Sequence, residues 1–143
     1  MTTDAEGLSP RIARALRDEE EALGSLEREC GRLDAAQVEA LFGLRPGQAE
    51  ELCGAGQLLA YRHRGAQTRW YPAFQFDGPR VLAVVAHLLE VARAAGVAHE
   101  DVVLWLGSRT AMLSGTVRPV DLLRTDPQSV LAAARYDLAE RAW

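Results

Sequence analysis

The nine residues RWYPAFQFD, from Arg69 to Asp77, hold an unusual concentration of aromatic side chains. The 143-residue chain contains three Trp, three Tyr and three Phe, and four of these nine lie between positions 70 and 76. Trp70 and Tyr71 are adjacent in a segment that reads as extended, so we expect their side chains on opposite faces. Pro72 ends the strand and keeps the preceding residue extended. The stretch is therefore predicted to be a seam between two parts of the fold.

The aromatic rings in the second half of this stretch are predicted to fill the core. Phe74 and Phe76 are two positions apart, so in an extended chain they share one face and Gln75 points away from it. We expect both rings to be buried and the Gln75 amide to bond loop backbone. Direct contact of Trp70 with a partner protein is the alternative.

The residues before the stretch predict a small winged helix-turn-helix-like unit. Ser9, followed by proline, is typical of a helix start, and it opens a heavily charged first helix. Asp34 is a plausible cap for a second helix that stops at Gly43, and a short third helix begins near Pro46. Two runs rich in β-forming residues flank Gly65 and predict a β-hairpin.

The residues after the stretch read as helices, the first from about Pro79 to a cap at Gly96. We therefore predict a mainly α fold with one β-hairpin. Its three parts are a charged N-terminal helix (1–31), the winged helix-turn-helix-like unit (32–78) and an all-α C-terminal part (79–143).

The final helix, QSVLAAARYDLAERAW, has two apolar stripes at helical spacing. One is predicted to pack on the core and consists of Val130, Leu131, Ala134, Leu138 and Ala142. The other consists of Ala132, Tyr136, Ala139 and Trp143. Large aromatic side chains outside the core suit a partner's pocket, because they bring much area and lose little rotamer freedom on binding. Burial of this second stripe in a dimer is the alternative.

Composition limits the classes of function. All sixteen basic residues are arginine. Because there are twenty acidic residues, the net charge is −4, which argues against a protein that binds nucleic acid over its whole surface. No apolar run approaches the roughly 18 residues of a membrane helix, and the polar N-terminus does not resemble a signal peptide. We expect a soluble cytoplasmic protein in which Cys30 and Cys53 are thiols.

Motifs of known catalytic chemistry are missing from the sequence. There is no phosphate-binding glycine loop, no HExxH, no paired CxxC and no GxSxG. The three histidines, His63, His87 and His99, do not cluster at the spacing of metal ligands. We therefore expect a protein that is not an enzyme and that needs no cofactor or metal.

Three blocks of sequence together resemble the MbcA/ParS/Xre antitoxin family over about half of the chain. They are YPAFQFD before a helix, then WLGSRTAMLSGTVRPVDLL, then a helix after TDPQSV. The matching positions are Tyr71, Pro72, Phe74, Gln75, Phe76, Trp105, Leu106, Leu113, Gly115, Arg118, Pro119, Asp121, Leu122 and Leu123.

The resemblance implies a type II antitoxin with an N-terminal DNA-binding part and a C-terminal part that binds a RES-domain toxin. RES toxins degrade NAD, and the antitoxin blocks their active site by stoichiometric binding. The resemblance also implies a homo-oligomer. The toxin-binding residues expected in this chain are Arg118, Asp121, Arg135, Tyr136 and Trp143. For the first two, a local ion pair or helix cap is the alternative.

The predicted DNA-reading helix, RPGQAEELC, carries Glu50 and Glu51, which a helix entering a major groove should not. We expect weak DNA binding. The residues available for it are Arg45, Arg62, Arg64 and Arg69. Two other functions remain open: a winged helix-turn-helix transcription regulator with a C-terminal dimerisation domain, and an interaction module that uses the same shape for another partner.

Overall fold

The computed structural model describes residues 7–140 of the chain. Within this range the fold is mainly helical, as predicted, with seven α-helices and two short antiparallel β-sheets. In chain order the elements are α1 (Pro10–Cys30), β1 (Arg32–Leu33), α2 (Ala35–Phe42), α3 (Gln48–Gly54), β2 (Tyr71–Pro72), a 3-10 helix (Ala73–Gln75), β3 (Phe76–Asp77), β4 (Arg80–Val81), α4 (Ala83–Ala95), α5 (His99–Leu106), α6 (Pro119–Leu122) and α7 (Pro127–Glu140).

The predicted helix caps are present. The Ser9 hydroxyl accepts a hydrogen bond from the Ile12 backbone N–H at 3.2 Å and starts α1. At the start of α2, Asp34 accepts from the backbone N–H of Gln37, whose side chain accepts from the Asp34 N–H, both at 2.8 Å. This reciprocal pair satisfies two N–H groups that the helix itself cannot. Gly43 ends α2 with a φ of 67°, a conformation that glycine adopts without strain.

The predicted winged helix-turn-helix-like arrangement is formed by β1, α2, α3 and the hairpin that follows. β1 pairs with β2 in an antiparallel sheet, although about forty residues separate them. The hairpin is closed by one bridge, in which the N–H of Tyr61 donates to the Trp70 carbonyl at 2.9 Å and the N–H of Trp70 donates back at 2.8 Å. Residues 62–69, called the wing below, connect the two sides of this bridge.

Two hydrophobic clusters make up the core. The larger is formed by α1, α4, α5 and α7, and its largest fully buried side chain is Trp105. The smaller lies under α2 and α3 and consists of Val38, Ala49, Cys53, Leu58, Ala60, Tyr71 and Phe76. Trp70 and Phe74 pack against the larger cluster, while Tyr71 and Phe76 belong to the smaller one. The aromatic stretch is therefore the seam that the sequence predicts.

The path of the chain through the seam differs from the prediction in one respect. Phe74 and Phe76 do not share a face, because the 3-10 helix rotates the chain between them and sends the two rings into different clusters. Gln75 is fully buried and bonds loop backbone, as predicted. Its Nε2 donates to the Leu59 carbonyl at 2.7 Å and to the Pro72 carbonyl at 3.1 Å, and its Oε1 accepts from the Leu59 N–H at 2.8 Å.

Helix α4 begins later than the sequence suggests. The residues after Pro79 form β4, which pairs with β3, and the backbone of Leu82 donates to the Gln75 carbonyl at 2.8 Å. The helix then runs from Ala83 to Ala95, is capped by Gly96 as predicted, and packs along α7. Within residues 7–140, none of the helices combines the length and the apolar character that crossing a membrane requires.

Candidate protein-interaction surface

Helix α7 carries the two faces that its sequence predicts. Val130, Leu131, Ala134 and Leu138 are buried in the larger cluster. On the opposite side Ala132, Arg135, Tyr136 and Ala139 are exposed, and we call these four residues the α7 outer face. Tyr136 leaves 55% of its surface in solvent, the largest exposure among the large hydrophobic side chains of the described residues. Ala142 and Trp143, also assigned to these stripes, lie outside the described residues.

The α7 helix is held in place by polar contacts as well as by packing. The indole N–H of Trp105 donates to a carboxylate oxygen of Asp137 at 2.8 Å, and the Thr110 hydroxyl donates to the same oxygen. At the start of the helix, Asp126 accepts from the hydroxyl of Ser129 at 2.6 Å and from its backbone N–H at 3.3 Å. These bonds fix both ends of the described helix, so the outer face is presented in one orientation.

Arg118 and Asp121 bond each other at the start of α6. The Arg118 side chain donates to Asp121 at 2.9 and 3.2 Å, and its backbone N–H donates to the same carboxylate at 2.9 Å. The same guanidinium donates to both oxygens of Glu29, at 2.9 and 2.5 Å, and so ties α6 to the end of α1. These bonds raise the pKa of Arg118 and lower the pKa of Asp121. The predicted alternative, a local ion pair and cap, describes this geometry.

Two of the four arginines expected to contact DNA are paired with acidic side chains of α3. Arg45 donates to both carboxylate oxygens of Glu51, at 3.1 and 3.2 Å. Arg69 donates to Glu50 at 3.3 Å. The helix that would read DNA, α3, therefore carries carboxylates, and these carboxylates form ion pairs with the nearest arginines.

The other two arginines, Arg62 and Arg64, are exposed on the wing. Their backbone N–H groups are bonded by acidic side chains from two helices. Arg62 N–H donates to Glu100 of α5 at 3.0 Å, and Arg64 N–H donates to Glu20 of α1 at 2.8 Å. At these two positions the wing is thus anchored through its main chain, and the side chains of Arg62 and Arg64 extend into solvent.

A cluster that sequence reasoning missed joins the wing to α1, and we call it the His63 clasp. Nδ1 of His63 lies 2.9 Å from a carboxylate oxygen of Glu20, and Nε2 lies 2.9 Å from one of Glu27. The Tyr61 hydroxyl donates to the same Glu27 oxygen at 2.5 Å, and Arg32 donates to it at 2.7 Å. Because each ring nitrogen faces a carboxylate, both must carry a proton to bond, and His63 is an imidazolium in this arrangement.

Electrostatics in the clasp favour this charged form. Burial lowers the pKa of His63, but hydrogen bonds to Glu27 and Glu20 outweigh it and raise the pKa above its usual value. For Glu27, burial raises the pKa, but hydrogen bonds from Tyr61, His63 and Arg32 outweigh this, so that the pKa is lowered. No sequence signal could reveal the clasp, because Tyr61 and His63 lie 34 to 43 positions from the glutamates that they contact.

A cysteine and a histidine approach each other between α3 and α5. The sulfur of Cys53 lies 3.9 Å from Nδ1 of His99, which also accepts a hydrogen bond from the Ala60 backbone N–H at 3.2 Å. Burial raises the pKa of the Cys53 thiol and lowers the pKa of His99. A nucleophilic cysteine needs the opposite shifts, which give a thiolate beside an imidazolium. The shifts therefore favour a neutral thiol beside a neutral imidazole, which is typical of a structural contact.

Among residues 7–140 no group of three His, Cys, Asp or Glu side chains is placed to hold a metal ion. Comparison of the chain with known protein families, with curated proteins and with solved structures finds no match.

Proposed function

We propose that this protein is the antitoxin of a type II toxin-antitoxin pair, acts in the cytoplasm, and neutralises a RES-type NAD-degrading toxin by stoichiometric binding. The observation that carries the proposal is the α7 outer face, where Tyr136 stands 55% exposed on a helix whose other side is buried. A tyrosine in such a position adds a large contact area with only two rotatable bonds to order.

The proposed mechanism is occlusion of the toxin's active site without turnover. Contacts of Asp137 with α5 already fix the helix, so binding need not order the backbone that carries Tyr136, and less free energy is lost on association. Arg135 is exposed next to Tyr136 and offers a planar cation to acidic groups at the rim of a cleft. The resemblance of three sequence blocks to the antitoxin family, described above, supports the same proposal.

The test is inhibition of NAD hydrolysis by a purified RES-domain toxin from the same host. Increasing amounts of the purified protein should abolish hydrolysis at a fixed ratio of the two chains. Tyr136→Ala should weaken binding by about ten- to a hundredfold. The matched control is Leu41→Ala on α2, which truncates another exposed large side chain, 39% exposed, away from α7. Circular dichroism first establishes that both variants are folded.

Two further variants separate the assigned residues. A chain that ends at Glu140 removes Trp143 without removing the buried Leu138 or the Asp137 contact. Arg118→Met removes the ion pairs of α6 and is expected to act on stability. If Tyr136→Ala and the shortened chain both inhibit the toxin as tightly as the parent, α7 is not the contact. A parent protein that leaves NAD hydrolysis unchanged at high excess contradicts the antitoxin proposal itself.

A second candidate function is that of a winged helix-turn-helix transcription regulator with a C-terminal dimerisation domain. The observation that favours it is the order β1, α2, α3, wing and β2, with β1 and β2 paired. The carboxylates of Glu50 and Glu51 on α3 count against specific readout of bases. This candidate is tested by the DNA-binding measurement described in the Discussion.

A further inference from the structure

Two cavities meet where Cys53 approaches His99. One, of about 270 Å³, lies between the end of α3 and α4. The other, of about 410 Å³, lies between α3, the start of α5 and the two ends of the wing. Both are lined by Cys53, Gly54 and His99, so we describe them as one α3/α5 cleft with these three residues at its neck.

A buried hydroxyl without a partner lies at the wall of this cleft. Tyr71 is fully buried, and among residues 7–140 its hydroxyl has no hydrogen-bond partner. Its ring packs in the smaller cluster with Cys53 and Ala60, which both line the larger cavity. Burial and Cys53 raise the pKa of Tyr71, and Arg69, another lining residue, lowers it. A buried polar group that stays unsatisfied costs free energy, so we expect it to serve a ligand.

His99 offers a second donor at the neck. Its Nδ1 accepts from the Ala60 backbone N–H at 3.2 Å, and burial lowers its pKa, so the ring is neutral and carries its proton on Nε2. Among the described residues Nε2 has no hydrogen-bond partner, since both contacts of the ring are made by Nδ1. The neck therefore presents a free N–H.

Two arginines add positive charge to the larger cavity. Arg69 and the exposed Arg62 both line it, and Glu100 is the carboxylate among its lining residues. Arg69 donates to Glu50 at 3.3 Å, and Glu100 accepts from the backbone N–H of Arg62. A guanidinium has five N–H groups, so Arg69 keeps donors for a further partner. Such planar forks pair well with carboxylates and phosphates.

The smaller cavity supplies an apolar wall. Leu89 and Ala92 of α4 are buried and line it, together with Ala86 and Val97. A molecule that passes through the neck can therefore place an apolar body against α4 and an acidic group beside Arg69.

We propose that the α3/α5 cleft binds a small organic acid, with its carboxylate or phosphate in the larger cavity and its apolar body in the smaller one. Arg69 and the Tyr71 hydroxyl donate to the acidic group, and the Nε2–H of His99 donates to the ligand at the neck. The cavity volumes are near the range of about 300–1,000 Å³ that is usual for small-molecule sites. The site does not depend on the proposed antitoxin function, because the residues that line the cleft do not belong to the α7 outer face.

NMR titration of the full chain with small probes tests the proposal. Benzoate and phenyl phosphate join a ring to an acid, benzyl alcohol is the ring without charge, and acetate and inorganic phosphate are the acids alone. The two ring acids should shift the amide signals of Gly54, Ala60 and His99, with dissociation constants of about 1 mM. The other three probes should bind at least about tenfold more weakly. The tighter ring acid shows whether the cleft prefers a carboxylate or a phosphate.

Two variants examine the donors to the acid. Arg69→Gln should raise the dissociation constant of the tighter ring acid by about tenfold, because it removes a charge-assisted bond. Tyr71→Phe removes only the hydroxyl and should raise that constant by about fivefold. In the free protein the hydroxyl bonds no described residue, so the melting temperature of Tyr71→Phe should equal or exceed that of the parent. A hydroxyl with a purely structural role would lower it.

A third variant closes the neck. A Cβ at Gly54 meets no atom within 4 Å, and leucine suits the helix there, so Gly54→Leu should fold and exclude the ring acids. The matched control is Arg109→Gln, which removes an exposed arginine that does not line the cleft and should leave binding unchanged.

Three results overturn the proposal. The first is that neither ring acid shifts the neck amides at about 10 mM, tenfold above the expected dissociation constant, so that water satisfies the Tyr71 hydroxyl. The second is that acetate and inorganic phosphate bind as tightly as the ring acids, which means that arginines attract anions over the whole surface. The third is a Tyr71→Phe variant that melts lower than the parent and binds the acid equally well. If a variant fails to fold, the ranking of the probes on the parent decides.

Discussion

Nε2 of His63 lies 2.9 Å from a carboxylate oxygen of Glu27, and this contact joins the wing to α1. The other ring nitrogen faces Glu20 at the same distance. The remaining groups of the clasp are the Tyr61 hydroxyl and the Arg32 guanidinium, which both donate to the same oxygen of Glu27. Because the histidine is held as a cation between two anions, the stability of the protein should depend on pH.

The first prediction is that the clasp weakens as the solution becomes basic. The pKa of folded His63 is raised, so the imidazolium adds stability that is fully present below its unfolded value of 6.5 and is lost as pH rises through the folded pKa. The pKa of Glu27 is lowered from 4.5, so its contribution is present above 4.5 and is lost as pH falls through the folded pKa. The clasp is therefore strongest between 4.5 and 6.5.

His63→Gln, which removes the charge, should lower the free energy of unfolding by about 1 kcal/mol at pH 6 and by less at pH 8. Urea unfolding at several pH values measures the difference between parent and variant. The variant must be compared with the parent because His99 also contributes to the pH dependence of the parent's stability. Burial lowers the pKa of His99, so this residue destabilises the folded protein as the pH falls, which is opposite to the effect of His63. His87→Gln, at an exposed position of α4, is the control. Equal losses at pH 6 and pH 8 would contradict the clasp.

The clasp also marks the limit of what the sequence could predict. The caps of Ser9 and Asp34 and the two faces of α7 were predictable, because each depends on residues within a few positions of one another. The contact between Glu27 and His63 spans 36 positions and arises only when the wing folds back on α1. The sequence gives no signal for such a pair, since charged residues of both signs occur throughout the chain.

Two smaller departures have local causes. Alternation in a strand predicted that Phe74 and Phe76 share a face, but a 3-10 helix after Pro72 interrupts the strand. The acidic character of α3 was evident, whereas its ion pairs with Arg45 and Arg69 were not, because they depend on how the preceding turn and the hairpin approach that helix. The α7 outer face was predicted, and its role in binding a partner stays a prediction.

The second prediction concerns the buried amide of Gln75. Gln75→Ala removes the side chain that bonds both the N–H and the carbonyl of Leu59, and it leaves these backbone groups without that partner in the core. The free energy of unfolding should fall by about 2–4 kcal/mol, the cost of unsatisfied buried polar groups and a small cavity. Thermal unfolding measures it, with the exposed Gln67→Ala as the control. A variant as stable as the parent would show that water replaces the amide.

The third prediction compares the two phenylalanines of the seam. Phe76 is 6% exposed and contacts Phe42 with ring centroids 5.4 Å apart, so Phe76→Ala should cost about 3–5 kcal/mol. Phe74 is only partly buried against the larger cluster, so Phe74→Ala should cost less. Urea unfolding of the two variants ranks them. A larger loss for Phe74→Ala would mean that the larger cluster depends on the seam more than the smaller one does.

The last prediction concerns DNA. Arg62 and Arg64 are exposed on the wing, whereas Arg45 and Arg69 are paired with carboxylates of α3, so any binding should be weak, led by the wing and independent of base sequence. Fluorescence anisotropy with two unrelated duplexes should give similar affinities that fall steeply with salt, because phosphate contacts release counterions.

Two double variants test the physical reason for this weakness. Arg62→Glu/Arg64→Glu should abolish binding while the wing keeps its fold, since its anchors to Glu20 and Glu100 are main-chain N–H groups. Glu50→Gln/Glu51→Gln should strengthen binding by about tenfold, because it removes two repulsive carboxylates and frees two arginines for phosphates. Binding by the parent that is nanomolar and selective for one duplex in about 0.2 M salt would contradict this account, since contacts to phosphates alone fade there. It would favour the transcription-regulator candidate, with α3 reading bases despite its acidic side chains.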